Sequence, residues 1–120
     1  MNSLYESLGE KVISELVTRF YDKVFASEKI GHLFKNDKAL ILEKQRQFLT
    51  QFFGGPTLYT DEHGHPKMRR RHMPHRITQE SKEEWLRLMF ASIDELDIEN
   101  KLKETLKGAF PVLAQHMVNS

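Results

Sequence analysis

The chain has 120 residues, a length typical of one domain, and we expect a single domain over residues 1–120. Its 18 basic and 17 acidic side chains give a net charge of +1, which argues against the broad positive surface of a duplex nucleic-acid binder. No cysteine occurs, which excludes disulfides, thiolate metal sites and cysteine nucleophiles. Because neither a signal-peptide pattern nor a long apolar run occurs, we expect a cytoplasmic protein with no membrane partner.

The first predicted element is a long amphipathic helix. A short helix over residues 3–8 is expected to precede it, with Gly9 as the break between them. Apolar residues then recur at i, i+1, i+4 and i+5 over residues 12–25, which predicts one wide apolar face. That face consists of Val12, Ile13, Leu16, Val17, Phe20, Tyr21, Val24 and Phe25.

The second predicted helix begins after Asn36 or Asp37, either of which can cap it. Its apolar line contains Ile41, Phe48 and Phe52, and the glycines of "GGP" at residues 54–56 end it. Residues 54–66 hold three glycines and two prolines without a period, so they are predicted to form a loop. A short helix is expected from residue 66 to about 72.

Two further helices complete a predicted all-α chain. Thr78 or Ser81 can cap the first of them, whose inner face carries Trp85. The last helix is expected to be kinked, because Pro111 lies inside its apolar pattern. That pattern consists of Ile98, Leu102, Leu106, Phe110, Leu113 and Met117.

Three hydrogen-bond donors are expected on apolar faces, where they would need partners. They are the phenol of Tyr21, the amide of Gln45 and the indole of Trp85, each on a different helix. Each of them could simply meet a backbone carbonyl. Alternatively, the three could converge on a small polar pocket, and the sequence alone leaves both interpretations open.

The stretch "HGHPKMRRRHMPHRIT" holds four of the six histidines and suggests a metal ligand. Zinc would need three or four convergent ligands, and Pro66 and Pro74 interrupt any regular spacing between these histidines. A haem iron needs only one histidine, an apolar slot and cations for the two propionates. Lys44 and the arginines at 69–71 can supply the cations. Phe20, Phe34, Phe48, Phe52 and Met73 can line the slot.

Four motifs occur in an order that resembles the group II truncated haemoglobins. They are "RFYDKVF", "LEKQRQFLTQFFGGPTLYT", "HGHPKMRRRHMPHRIT" and "EEWLRLMF", and the resemblance covers residues 4–119. It implies an all-α, globin-like fold, the truncated two-over-two helical sandwich around one haem b. The chemistry of iron ligation by a single histidine agrees with this resemblance.

The resemblance also implies roles for individual residues. It places the iron ligand at His72, the distal tyrosine at Tyr21, the distal tryptophan at Trp85 and a variable distal residue at Gln45. It implies a haem pocket with propionate partners made of Phe34, Ile41, Lys44, Phe48, Tyr59, Arg69, Arg71 and Met73. The chain departs from the family at Ile41, where a small residue is usual, and at His75, where phenylalanine is usual.

The function implied is high-affinity binding of O2, with NO, CO, peroxide or sulfide as further ligands. We expect O2, NO or peroxide chemistry, or sensing, rather than bulk transport, and NO dioxygenase or peroxidase-like activity is compatible with this. A reductase partner and a monomer or homodimer are expected. Two alternatives stay open: a haem-free helical interaction module, and a nucleic-acid binder using the basic patch at residues 69–71, whose binding would depend steeply on salt.

Overall fold

The computed structural model describes residues 3–31, 37–64 and 78–116, and the regular structure in these ranges is helical throughout, which confirms the predicted all-α class. No helix within the described ranges is both long enough and apolar enough to span a bilayer. The helices are α1 (Leu4–Ala26), α2 (Lys38–Phe52), α3 (Leu58–His63), α4 (Gln79–Asp94), α5 (Asn100–Gly108) and α6 (Phe110–His116).

Helix α1 has a break where the sequence predicts one. The hydroxyl of Ser3 accepts a hydrogen bond from the Glu6 amide and so caps the first turn. Gly9 then leaves helical geometry, with φ of 79° and ψ of 161°. This left-handed φ is accessible to glycine at little cost, so the short first turn and the long helix meet at Gly9.

Side-chain caps start two other helices at predicted residues. The Asp37 carboxylate accepts hydrogen bonds from the Ala39 and Leu40 amides, and the Thr78 hydroxyl accepts one from the Ser81 amide. Each cap satisfies amides of the first turn that have no partner within the helix. Of the paired candidates, the structure therefore uses Asp37 for α2 and Thr78 for α4.

The predicted loop over residues 54–66 is wrong in its central part, because Leu58–His63 forms helix α3. The side chain of Gln51 reaches across from α2, accepting from the Thr60 amide at 2.9 Å and donating to the Thr60 hydroxyl at 2.7 Å. Tyr59 is buried, and its ring packs edge-on against Phe48. These contacts with α2 stabilise a helix too short to form by itself.

The interruption predicted near Pro111 in the last helix is present, and it divides this segment into two helices, α5 and α6, separated at Ala109. Pro111 is the second residue of α6. Proline has no N–H to donate and its ring clashes with the carbonyl four residues earlier, so a helix cannot run through it unbroken. The break falls just before Pro111, at a position where α6 tolerates proline in its first turn.

The helices pack as two groups in contact through α1 and α4. Helix α1 packs on α2 and on α4, while α4 also packs on α5 and α6. Side chains with at most 1% exposure form the centre of the core: Ile13, Leu16, Phe20, Val24, Ile30, Met89, Ile93, Leu106 and Phe110. This core holds the end of α1 and the start of α4 together, which is where two of the predicted donors lie.

Candidate functional site

Tyr21 and Trp85 meet the same side chain, Phe20. The Phe20 ring lies 4.9 Å from the Tyr21 ring and 5.1 Å from the Trp85 ring, measured between centroids, and both contacts are edge-on. Trp85 also packs on Phe110, at 5.7 Å. Edge-on pairs of this kind fix the orientation of the rings. The structure therefore brings the phenol of α1 and the indole of α4 to one aromatic cluster.

Burial determines the protonation of Tyr21. Its side chain is only 3% exposed. Burial raises the pKa of the Tyr21 phenol far above its ordinary value, because the phenolate would lose its solvation. The phenol is therefore neutral at physiological pH and retains its O–H as a hydrogen-bond donor.

Gln45, the third predicted donor, is half-buried on α2, and the buried glutamine of that helix is Gln47. The amide group of Gln47 donates to Glu43 and Glu62 and accepts from the ring of His63 at 2.9 Å. Sequence reasoning missed Gln47 because it lies off the apolar line. Gln47 connects α2 to α3 rather than pointing toward the Tyr21 cluster.

Lys44, a predicted propionate partner that lies within the described residues, is at the contact between α2 and α3. Lys44 is half-buried, and its ammonium lies 6.0 Å from the centroid of the Tyr59 ring. Tyr59 packs on Phe48, which is 7% exposed. A cavity of about 420 Å³ opens beside them. Its lining residues are Asp37, Leu40, Ile41, Glu43, Lys44, Gln47, Glu62 and His63.

Part of this lining has the chemistry that a haem pocket needs, whereas Asp37, Glu43 and Glu62 are carboxylates that would repel a propionate. A porphyrin needs apolar and aromatic neighbours for its ring and a cation for each propionate, and Ile41, Phe48 and Lys44 offer both kinds of contact. The remaining predicted haem partners are outside the described residues: Phe34, Arg69, Arg71, His72 and Met73. Within the described residues, no group of three or more histidine and carboxylate side chains could hold a metal ion directly.

A protein-family model described as bacterial-like globin matches residues 3–119. This chain is a bacterial-like globin. The group 2 truncated haemoglobin of Bacillus subtilis is 43% identical over 118 residues, which cover 98% of this globin and 89% of that protein. Since so large a share of both chains aligns, this globin belongs to the group 2 truncated haemoglobins.

Solved structures confirm the two-over-two fold of this globin. The oxygen-avid truncated haemoglobin of Bacillus subtilis superposes with a TM-score of 0.92, covering 98% of this globin and 100% of that chain at 43% identity. The group II truncated haemoglobin of Bacillus anthracis gives a TM-score of 0.94 at 39% identity, covering 100% and 93%. Because the chain is a globin, the alternative interpretation as a haem-free helical interaction module is not supported.

One feature of this globin was not anticipated from the sequence. Glu84, beside Trp85, is a buried carboxylate at 7% exposure. It accepts hydrogen bonds from the hydroxyl of Ser27 at 2.8 Å and from the guanidinium of Arg87 at 2.7 and 3.0 Å. The i, i+3 spacing of Glu84 and Arg87 is a detectable signal in the sequence. The long-range partner, Ser27, is not.

Proposed function

We propose that this globin binds O2 with high affinity at a haem b, whose iron His72 would ligate. When bound, the haem supplies an iron that takes up O2 or another diatomic gas. Tyr21, Trp85 and Gln45 would donate hydrogen bonds to the gas. The observation that carries the proposal is the buried, neutral phenol of Tyr21 next to the aromatic cluster.

The neutral phenol suits this role because bound O2 acquires partial negative charge and accepts hydrogen bonds. Tyr21 retains its proton at physiological pH as a phenol ordinarily does, and burial raises its pKa further. The indole of Trp85 has only a donor, so it adds a second hydrogen bond without competing as an acceptor. Gln45, half-buried on α2, donates to the gas or orients the phenol.

Cations and aromatic rings hold the cofactor. Lys44, half-buried beside the Tyr59 ring, is proposed to pair with one propionate. Arg69 and Arg71 are proposed partners of the propionates as well. Phe34, Ile41, Phe48, Tyr59 and Met73 are proposed to contact the porphyrin.

Two hydrogen bonds to O2 favour retention over delivery. Each bond of this charge-assisted kind contributes about 1.5–3 kcal/mol, so two slow release by roughly a hundredfold or more. Slow release suits sensing, scavenging or the oxidation of NO, and the reduction of peroxide or the binding of sulfide is compatible with the same site. The proposal includes a single domain, monomeric or homodimeric, in the cytoplasm, where a reductase keeps the iron ferrous.

The replacement Tyr21→Phe tests this function. It removes one donor and keeps the ring that packs on Phe20. We expect O2 dissociation, followed by stopped-flow absorbance, to become about ten times faster or more, because one hydrogen bond to the gas is lost.

Tyr5→Phe is the matched control. Tyr5 donates its hydroxyl to Glu10 on an exposed part of α1 and is not placed near the aromatic cluster. It is expected to leave the rate of O2 release at the wild-type value. An unchanged rate in Tyr21→Phe contradicts the proposed function.

A further inference from the structure

We propose that Ser27, Glu84 and Arg87, which we call the carboxylate tie, position Trp85 relative to Tyr21 and thereby set how fast this globin releases O2. The inference rests on the proposed function, because it gives Trp85 and Tyr21 their role as donors. The three residues of the tie do not contact the gas themselves. They act as positioning residues through the helix that carries Trp85.

Both oxygens of the Glu84 carboxylate accept hydrogen bonds from charged or polar donors. One oxygen, Oε2, accepts from Ser27 Oγ at 2.8 Å and from Arg87 Nη2 at 3.0 Å, and the other, Oε1, accepts from Arg87 Nε at 2.7 Å. The hydrogen bonds from Arg87 and, less strongly, from Ser27 hold the pKa of Glu84 below its usual range. A buried, ionised and bidentate carboxylate has a narrow choice of geometry.

Ser27, at the other end of the carboxylate tie, is held by hydrogen bonds with the backbone. Ser27 is the C-cap of α1, and its amide donates to the Val24 carbonyl at 3.0 Å. Its hydroxyl oxygen accepts from the Lys29 and Ile30 amides at 3.3 and 3.4 Å while donating to Glu84. Ser27 therefore closes the turn after α1 and, through the same oxygen, fixes that turn to α4.

The carboxylate tie lies close along the chain to both proposed donors. Glu84 directly precedes Trp85 on α4, and Tyr21 lies less than two helical turns before Ser27 on α1. The Phe20 ring connects Trp85 to Tyr21 by two edge-on contacts. The hydrogen bond from Ser27 Oγ to Glu84 is the link of the tie between the two helices, and Arg87, on α4 itself, holds the carboxylate in the orientation that accepts it.

A second link between α1 and α4 provides the comparison. Glu95, just after α4, pairs with Arg19 at 3.2 Å and with Lys23 at 2.8 Å. The Glu95 side chain is 41% exposed and that of Glu84 is 7% exposed, while the Arg87 side chain that pairs with Glu84 is itself 66% exposed. Exposed pairs contribute little because solvent screens them. Both links involve a carboxylate and join the same helices, but only Glu84 is buried beside Trp85.

The test measures O2 dissociation from the haem-loaded globin in Glu84→Gln and Ser27→Ala, with Glu95→Gln and Ser27→Thr as controls. We expect Glu84→Gln and Ser27→Ala to release O2 about threefold faster or more, because a displaced donor loses part of its hydrogen bond. Ser27→Thr retains the hydroxyl, and Glu95→Gln spares the tie, so both should release O2 at the wild-type rate. Ser27→Ala, which leaves Glu84 paired with Arg87, serves if Glu84→Gln folds poorly.

A spectroscopic readout separates positioning from a general loss of stability. Trp85 is the only tryptophan of the chain, so the ultraviolet resonance Raman bands of indole come from this one side chain and include the response of its N–H. These bands should shift in Glu84→Gln and Ser27→Ala and remain unchanged in Glu95→Gln. Unshifted bands in both tie variants, or equal acceleration of release by Glu95→Gln, would overturn the proposal.

A double-mutant cycle distinguishes failure of the tie from failure of the proposed function. In a Trp85→Phe background, Glu84→Gln should cause no further acceleration, because the tie acts through the indole. An additive effect in that background refutes positioning through Trp85. If Trp85→Phe itself releases O2 at the wild-type rate, the proposed role of Trp85 is wrong. If Trp85→Phe is fast and Glu84→Gln is not, only the tie is wrong.

Discussion

Two buried hydroxyls show how strongly the contribution of a side chain to stability depends on its hydrogen-bond partners. Ser92, fully buried on α4, donates its hydroxyl to the Leu88 carbonyl at 2.8 Å. Thr50, equally buried near the end of α2, has a hydroxyl with no hydrogen-bond partner among the described residues. A buried donor without a partner loses its hydrogen bonds to water and gains nothing in return. The two residues should therefore respond to substitution with opposite sign.

Thr50→Val is expected to stabilise this globin. Valine has nearly the shape of threonine, so the core packing is retained while the unpaired hydroxyl is removed. We expect the free energy of unfolding to rise by about 1 kcal/mol, measured by urea denaturation of the haem-loaded protein. Ser92→Ala, which removes a satisfied hydroxyl, should lower it by about 1 kcal/mol. A loss of stability in Thr50→Val of the same size would show that its hydroxyl is paired.

At the scale of the elements, the segment after α2 connects the end of α2 to the start of α1. The Tyr5 amide donates to the Phe53 carbonyl at 2.9 Å, and the Gly55 amide donates to the Thr50 carbonyl at 2.9 Å. A methyl group at Gly55 would lie 2.6 Å from the Tyr5 ring and 2.9 Å from the Thr50 carbonyl oxygen. Gly55 therefore permits the start of α1 to pack against the end of α2.

Gly55→Ala is expected to destabilise the fold for this reason. Both contacts are shorter than real methyl groups allow, and one of them is to backbone that cannot rotate away. We expect a loss of about 1–3 kcal/mol in the free energy of unfolding, as for other overpacked sites. Gly108→Ala is the control, since nothing lies within 4 Å of the added methyl group at the end of α5. It should be neutral or stabilising, and an equal loss there would contradict the steric explanation.

Local signals in the sequence were sufficient for elements that local chemistry determines. The break at Gly9 and the caps at Asp37 and Thr78 each depend on one residue and its nearest amides, so the sequence predicts them. Helix α3 could not be predicted, because its six residues are stabilised by Gln51 and Phe48 of another helix. Apolar periodicity likewise does not show at which residue a proline interrupts a helix.

The same distinction applies to the candidate site. Tyr21 and Trp85 were identifiable as polar groups on apolar stripes, and both lie against Phe20. Periodicity placed Gln45 on the apolar line of α2 and Gln47, about 200° away around the helix, off it. Only the contact with α3 determines that Gln47 is the buried one. The carboxylate tie depends on a partner 57 residues away, which no local pattern indicates.

At the scale of the whole molecule, the described helices and the proposed cofactor are thermodynamically linked. The described part of the chain supplies Tyr21, Trp85 and Lys44, while the proposed axial ligand, His72, is outside it. A ligand that binds only the folded state adds to its stability in proportion to the logarithm of its concentration over its dissociation constant. Loss of the axial ligand should therefore weaken haem binding and lower the stability of the whole fold together.

His72→Ala tests this link. The purified variant should lose haem or the five-coordinate ferrous spectrum, and its thermal unfolding midpoint should fall toward that of the haem-free protein. Haem at a thousandfold excess over its dissociation constant adds on the order of 4 kcal/mol, so the difference is measurable by calorimetry. His75→Ala, three residues away, should retain both the spectrum and the midpoint, because one histidine suffices to ligate the iron. Reversed outcomes for the two variants would assign the iron to His75.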